Sequence, residues 1–169
     1  GLFDNYAGHF DEHAQGALAY AVPQTLRDMY AALNLKQREQ MLDLGCGSGL
    51  SGQAFADCAT QSIGIDLSAN MLARAQAKQL YSLLVQGSIT ALPFKAGQFD
   101  LILAADVFVY LGDLQEVFTQ VANCLQSNGI FMFSLEESMQ ADYQLLSTGR
   151  FAHKVQYLLD LSAKMGFTV

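Results

Sequence analysis

Two carboxylates and three alternating glycines are the residues of this chain whose types and spacing could do chemistry. Asp43 stands two positions ahead of Gly45, Gly47 and Gly49, in Met41-Leu42-Asp43-Leu44-Gly45-Cys46-Gly47-Ser48-Gly49-Leu50, and Asp66 closes the next apolar run, Ile63-Gly64-Ile65-Asp66. Glycines after a strand let the backbone turn sharply and let a ligand approach the main chain with no Cβ in the way. The helix expected beyond them offers unpaired N–H groups at its start. This could serve a dinucleotide, because Gly47, Gly49 and Gly52 spell GxGxxG and Asp66 follows at the spacing of a ribose-binding acid. The charge of Asp43 favours another ligand. At the carboxyl end of a strand, where open α/β sheets bind ligands, a carboxylate repels a pyrophosphate but favours a sulfonium or an ammonium, directly or through water.

Other groups offer weaker chemistry. His9 and His13 stand four apart with Asp11 and Glu12 beside them, a spacing for either a metal site or a solvated helix face. We expect no metal. Asp106 follows the fourth apolar run and is either a site residue or a turn former. His153 and Tyr157 would share a face of a last helix, and Glu136 and Glu137 stand at the exit of the fifth strand. Cys46 has no histidine nearby in sequence and reads as a small loop residue rather than a nucleophile.

The elements that must position these residues alternate between apolar runs and helical periods, the pattern of a βαβ array. Strands are predicted at 40–44, 62–66, 83–86, 99–104 and 129–135, and helices at 17–33, 50–58, 69–79, 114–125 and 153–165. Ser68 and Asp113 are the expected N-caps of the third and fourth helices. Right-handed crossovers then give a parallel sheet covered on both faces. The predicted fold is α/β, a three-layer αβα Rossmann-like sandwich with a mostly parallel sheet and incomplete carboxyl-terminal strands. Phe167 to Val169 reads as the beginning of a late strand.

The chain has 169 residues, 51% of them hydrophobic and 15% charged, which suits one globular domain. A net charge of −7 with nine dispersed Lys and Arg disfavours nucleic acid as a partner. No apolar stretch is long enough to span a bilayer, and no signal peptide is visible. Cys46, Cys58 and Cys124 lack zinc or disulfide spacing and fit a reducing, cytoplasmic setting. The start at Gly1 and the stop after Gly166-Phe167-Thr168-Val169 make both ends look cut. Oligomeric state leaves no mark in the sequence.

Asp43-Leu44-Gly45-Cys46-Gly47-Ser48-Gly49 resembles motif I of the class I S-adenosylmethionine-dependent methyltransferases, and the later motifs follow in order over residues 38–136. Ile63 to Ser68 resembles motif II, whose acid accepts hydrogen bonds from ribose hydroxyls. Met71 matches a position near the adenine, and Gln86-Gly87-Ser88-Ile89 with Leu92-Pro93-Phe94 matches the segment after the third strand. Phe99 to Ile102 with Ala104-Ala105-Asp106 resembles the fourth-strand motif, and Leu125 to Phe133 the fifth strand and the turn before it. Two positions depart from the pattern. Ser88 stands where the family usually has aspartate, and Val107-Phe108-Val109-Tyr110 stands where many small-molecule members carry histidine. The run 104–114 and Gly149-Arg150-Phe151-Ala152-His153 look like a bacterial subgroup linked to tetratricopeptide proteins.

The resemblance implies S-adenosyl-L-methionine as cofactor and methyl transfer to a small-molecule or protein substrate. It implies a binding set of Tyr6, Asp43, Gly45, Gly47, Asp66, Leu67, Met71, Ser88, Ile89, Ala105 and Asp106. Tyr6 and Phe10 would lie in an amino-terminal segment closing over the cofactor, or else staple the first helix to the core. The domain would divide into a helical cap or lid at 1–37, a cofactor-binding core at 38–136, and a substrate-side helix with the start of a late strand at 137–169. A non-catalytic S-adenosylmethionine-binding domain and a nicotinamide-dependent oxidoreductase are the alternatives.

Overall fold

The structure, a computed structural model, describes residues 21–169. Tyr6, His9, Phe10 and His13, and the start of the predicted first helix, lie outside the described residues. In chain order the elements are α1 (Ala21–Ala32), β1 (Arg38–Leu44), α2 (Leu50–Ala54), β2 (Ala59–Asp66), α3 (Ala69–Ala77), β3 (Leu83–Gln86) and β4 (Phe99–Ala104). A short 3-10 turn (Phe108–Tyr110) leads to α4 (Gln115–Cys124), β5 (Leu125–Phe133), β6 (Tyr143–Leu145), β7 (Phe151–His153) and α5 (Val155–Lys164).

Five strands form one sheet in the order β3-β2-β1-β4-β5, every neighbouring pair parallel. Period-two alternation sorts their side chains onto two faces. Leu42, Leu44, Ile63, Ile65, Ile102 and Ala104 pack with Phe108, Val117, Phe118 and Leu158 on one face. Met41, Leu101, Leu103 and Met132 pack with Leu26, Tyr30 and Phe55 on the other. The central strands are therefore apolar on both sides, as a covered parallel sheet requires. Each fully buried Leu or Ile contributes about 1.5–3 kcal/mol relative to exposure.

The third helix begins as expected: Ser68 Oγ accepts the Met71 N–H at 3.1 Å. The fourth corrects the expected cap. Its N-cap is Leu114, and Asp113 accepts the N–H of Gln115 from one position earlier. The second helix stops at Ala54, four residues short of the predicted end. The fifth strand starts earlier than predicted, at Leu125, and absorbs an irregular stretch where Asn128 takes φ 65° before Gly129.

The carboxyl-terminal third departs most from the sequence reading. His153 does not open the last helix; it ends β7, which pairs antiparallel with β6 in a separate two-stranded hairpin. The predicted late strand is absent. Residues 167–169 take no regular structure, and the Phe167 N–H donates to the Ser162 carbonyl at 2.8 Å. The Phe167 ring lies 6.1 Å from Phe131 and 6.3 Å from Phe118. An apolar residue after the helix-stopping Gly166 covers the core instead of pairing as a strand.

Candidate cofactor site

The sheet order reverses between β1 and β4. A cleft lies at this point, bordered by the loops after β1, β2, β3 and β4. Open α/β sheets bind ligands at such a switch point. Gly45, Gly47, Asp66, Leu67, Met71, Ser88, Ile89, Ala105 and Asp106 all line it. Asp43 does not, and Tyr6 lies outside the described residues.

Asp66 braces the glycine turn. One carboxylate oxygen accepts the Gly47 N–H at 2.9 Å and the other accepts the Ser68 N–H at 2.9 Å. The turn itself is fixed by positive φ at Gly45 and Gly47, 60° and 53°. These two glycines are needed for different reasons. A Cβ on Gly45 would lie 2.8 Å from Val107 Cγ2, so its bareness lets the loops after β1 and β4 meet. A Cβ on Gly47 would meet no protein atom within 4 Å and would project into open space at the cleft wall.

Asp43 occupies a different place from the one expected. It is 1% exposed and accepts a hydrogen bond from the Tyr81 hydroxyl at 2.6 Å. The period of β1 puts it on the Met41 face of the sheet, under the glycine turn rather than in the cleft. Burial pushes its carboxyl up to about 7, Tyr81 pulls it down, and Asp66 raises it further. Cys46 lines the cleft, and burial beside Asp43 and Asp66 pushes its thiol far above its ordinary value, so it is no nucleophile.

On the β3 side, Met71 is buried, and Ser88 turns its hydroxyl into its own loop, where it accepts the Thr90 N–H at 3.2 Å and meets Thr90 Oγ1 at 2.7 Å. On the β4 side, Asp106 takes φ 56°, uncommon for a residue with a side chain. Its N–H donates to Ser134 Oγ at 2.8 Å, and its carboxylate accepts from Arg150 Nη2 at 2.6 Å. The same guanidinium donates through Nε to Glu136 at 2.5 Å. Arg150 arrives on the β6–β7 hairpin, which is anchored beside the mouth by His153 Nε2, 2.9 Å from the Gly112 carbonyl. His153 also stacks on Tyr157 at 6.4 Å.

These groups suit a nucleoside joined to a cationic amino acid. Asp66 keeps lone pairs for hydroxyls, Met71 and Ile89 offer apolar surface to a flat base, and the bare Gly47 admits a ligand against the backbone. A sequence profile described as a methyltransferase domain matches residues 42–133, more than half of the 169. The chain belongs to the class I S-adenosylmethionine-dependent methyltransferases. Its relatives include the malonyl-[acyl-carrier protein] O-methyltransferase of Enterobacter lignolyticus, 27% identical over 132 residues, which cover 78% of this chain and 51% of that protein. Squalene methyltransferase 1 of Botryococcus braunii is 31% identical over 132 residues, covering 73% of this chain and 35% of that protein. The chain thus spans about half or less of these relatives' length. Among solved structures, the methyltransferase in complex with the Trm112 methyltransferase activator of Haloferax volcanii superposes with a TM-score of 0.77 at 21% identity, over 97% of this chain and 75% of that one. The cofactor of this methyltransferase family is S-adenosyl-L-methionine.

Sequence reasoning missed several residues of this methyltransferase cleft. Val107 and Tyr110 line it from the loop that the sequence marked by its missing histidine and its subgroup resemblance, not as a cleft wall. Pro23 reaches it from α1, and its position in sequence gives no sign of that. Tyr81 lies between α3 and β3 with no motif around it, and Arg150 was visible only as part of the subgroup resemblance. Asp100 was read as part of the fourth-strand motif, but it accepts the N–H groups of Glu39 and Gln40 at 3.0 Å and so secures the start of β1, at the opposite end of the sheet.

Proposed function

We propose that this chain binds S-adenosyl-L-methionine in the switch-point cleft and transfers its methyl group to a small-molecule or protein acceptor entering between the loop after β4 and the β6–β7 hairpin. The single observation that carries this reading is the convergence of the glycine turn, Asp66, Met71, Ser88–Ile89 and Ala105–Asp106 on one cleft. When bound, the cofactor supplies a methyl group on a sulfonium, displaced in line by the acceptor's nucleophile, with no leaving-group proton needed. In this assignment Asp66 receives the ribose hydroxyls and Met71, Ile89 and Leu67 enclose the adenine. Ser88 lies at the adenine edge, Gly47 admits the amino-acid portion, and Gly45 lines the cleft beside it while letting the loops after β1 and β4 meet. Ala105 and Asp106 border the reacting end. Asp106 is held by Arg150, so it orients and balances charge there.

The net charge of −7 favours small-molecule or protein acceptors over nucleic acid. Among the described residues no helix is long and apolar enough to cross a membrane. The three free, buried cysteines support a cytoplasmic setting. We assign residues 38–136 to the cofactor and 137–169 to the acceptor side of one domain. The tetratricopeptide-linked subgroup continues to rest on the run 104–114 and the hairpin sequence 149–153.

Titration calorimetry with S-adenosylhomocysteine and with NAD tests the cofactor. The expected result is saturable binding of the first and none of the second; the reverse would reassign the cleft to an oxidoreductase. Methyl transfer from radiolabelled donor to pooled metabolites and to denatured and native protein extracts then tests catalysis. Ser88→Asp is expected to tighten S-adenosylhomocysteine by about 0.5–1.5 kcal/mol, because a carboxylate can accept both the Thr90 N–H and the adenine amino group. Weaker binding by that variant would place the adenine elsewhere.

A further inference from the structure

Under the floor of the cleft lies a buried pair that the assignment above leaves without a role. The Tyr81 hydroxyl donates to Asp43 at 2.6 Å across 38 residues of sequence. The Tyr81 ring is fitted beneath the glycine turn: a Cβ on Gly49 would lie 3.4 Å from it, and one on Gly52 would collide with the ring and its hydroxyl. Gly52, which completes the GxGxxG spacing, is therefore bare for Tyr81 and not for a pyrophosphate. Asp43 precedes Gly45 by two residues and acts electrostatically on Cys46, and both of those residues line the cleft.

We propose that Tyr81 is a positioning residue for the methyl donor, favouring without completing the ionisation of Asp43 beneath the glycine turn, so that binding of the cationic donor is coupled to loss of a proton from Asp43. The proposal rests on the S-adenosylmethionine reading of the cleft. Its physical basis is the balance at Asp43. Burial opposes ionisation and Tyr81 favours it, while Asp66 at the end of β2 opposes it, leaving the carboxyl near neutrality. A cation arriving above a carboxylate poised in that way favours its charged form. The other ionisable groups around this floor are Cys46 in the turn and Lys78 just after α3, whose Cδ would lie 3.6 Å from a Cβ on Gly49.

The test is calorimetry of S-adenosylmethionine binding between pH 6 and 8, in buffers of different protonation enthalpy. The expected wild-type result is proton release on binding, with affinity rising with pH by up to about tenfold per unit below the midpoint. Release should be smaller for S-adenosylhomocysteine, which lacks the sulfonium charge. Tyr81→Phe keeps the ring beneath Gly52 and removes the donor, so its midpoint should rise by about half to one pH unit. Asp43→Asn should bind with a flat pH profile and no proton release. Wild-type affinity that is independent of pH, or a Tyr81→Phe midpoint equal to the wild type's, would overturn the proposal while leaving the cofactor assignment intact. Absence of any S-adenosylmethionine binding by the wild type would overturn the cofactor assignment itself.

Discussion

Asp66→Ala should weaken S-adenosylhomocysteine binding by about 1–3 kcal/mol from lost charge-assisted hydrogen bonds to the ribose. The geometry adds a second loss that the sequence alone did not foresee. The same carboxylate receives the Gly47 and Ser68 N–H groups, so its removal also loosens the glycine turn and the start of α3. Asp66→Asn separates the two effects. It retains one acceptor oxygen, and its amide nitrogen faces a backbone N–H, so it should bind weakly yet melt closer to the wild type than the alanine variant. Calorimetry and thermal unfolding read the two quantities independently. An unchanged dissociation constant in Asp66→Ala would remove this residue from the site.

The second large effect is expected at Gly45. Gly45→Val forces a β-branched residue into φ 60° and drives its Cβ into Val107, 2.8 Å away. Binding of S-adenosylhomocysteine should be abolished and the melting temperature should fall. Gly47→Ala is the contrasting case. It pays about 1 kcal/mol for its φ and meets no protein atom, so it should stay folded while losing cofactor affinity. If Gly47→Ala bound the cofactor normally, the ligand would not approach the turn as assigned. If Val107→Ala in the same chain failed to improve folding of Gly45→Ala, the loop contact would not be what excludes a side chain at Gly45.

The sequence carried the five-stranded sheet and its cleft well and the carboxyl-terminal third poorly. Five apolar runs separated by helical periods are long-range signals that survive errors at each boundary, and every predicted strand of the sheet is present. Glycine turns and strand-end acids lie within a few residues of one another, so the places of Asp66, Met71, Ser88 and Asp106 could be read locally. Asp43 shows where local reading stops. Its charge marked the right end of the right strand, but the partner that receives its side chain, Tyr81, is 38 residues away. The hairpin was invisible because β6 and β7 have three residues each and no alternation long enough to register. Phe167 was misread for the reverse reason, since a single apolar residue after a glycine looks the same whether it pairs or packs.

The guanidinium of Arg150 joins the exits of two neighbouring strands, reaching Asp106 across 44 residues of sequence and Glu136 across 14. A chain made from its amino end has every cleft-lining residue, the last of them Leu111, in hand well before Arg150 exists. Contacts between distant residues close late in folding, because chain entropy must be lost before they form. The newborn protein therefore gains the brace between the two strand exits only after every strand of the sheet that it ties has been made.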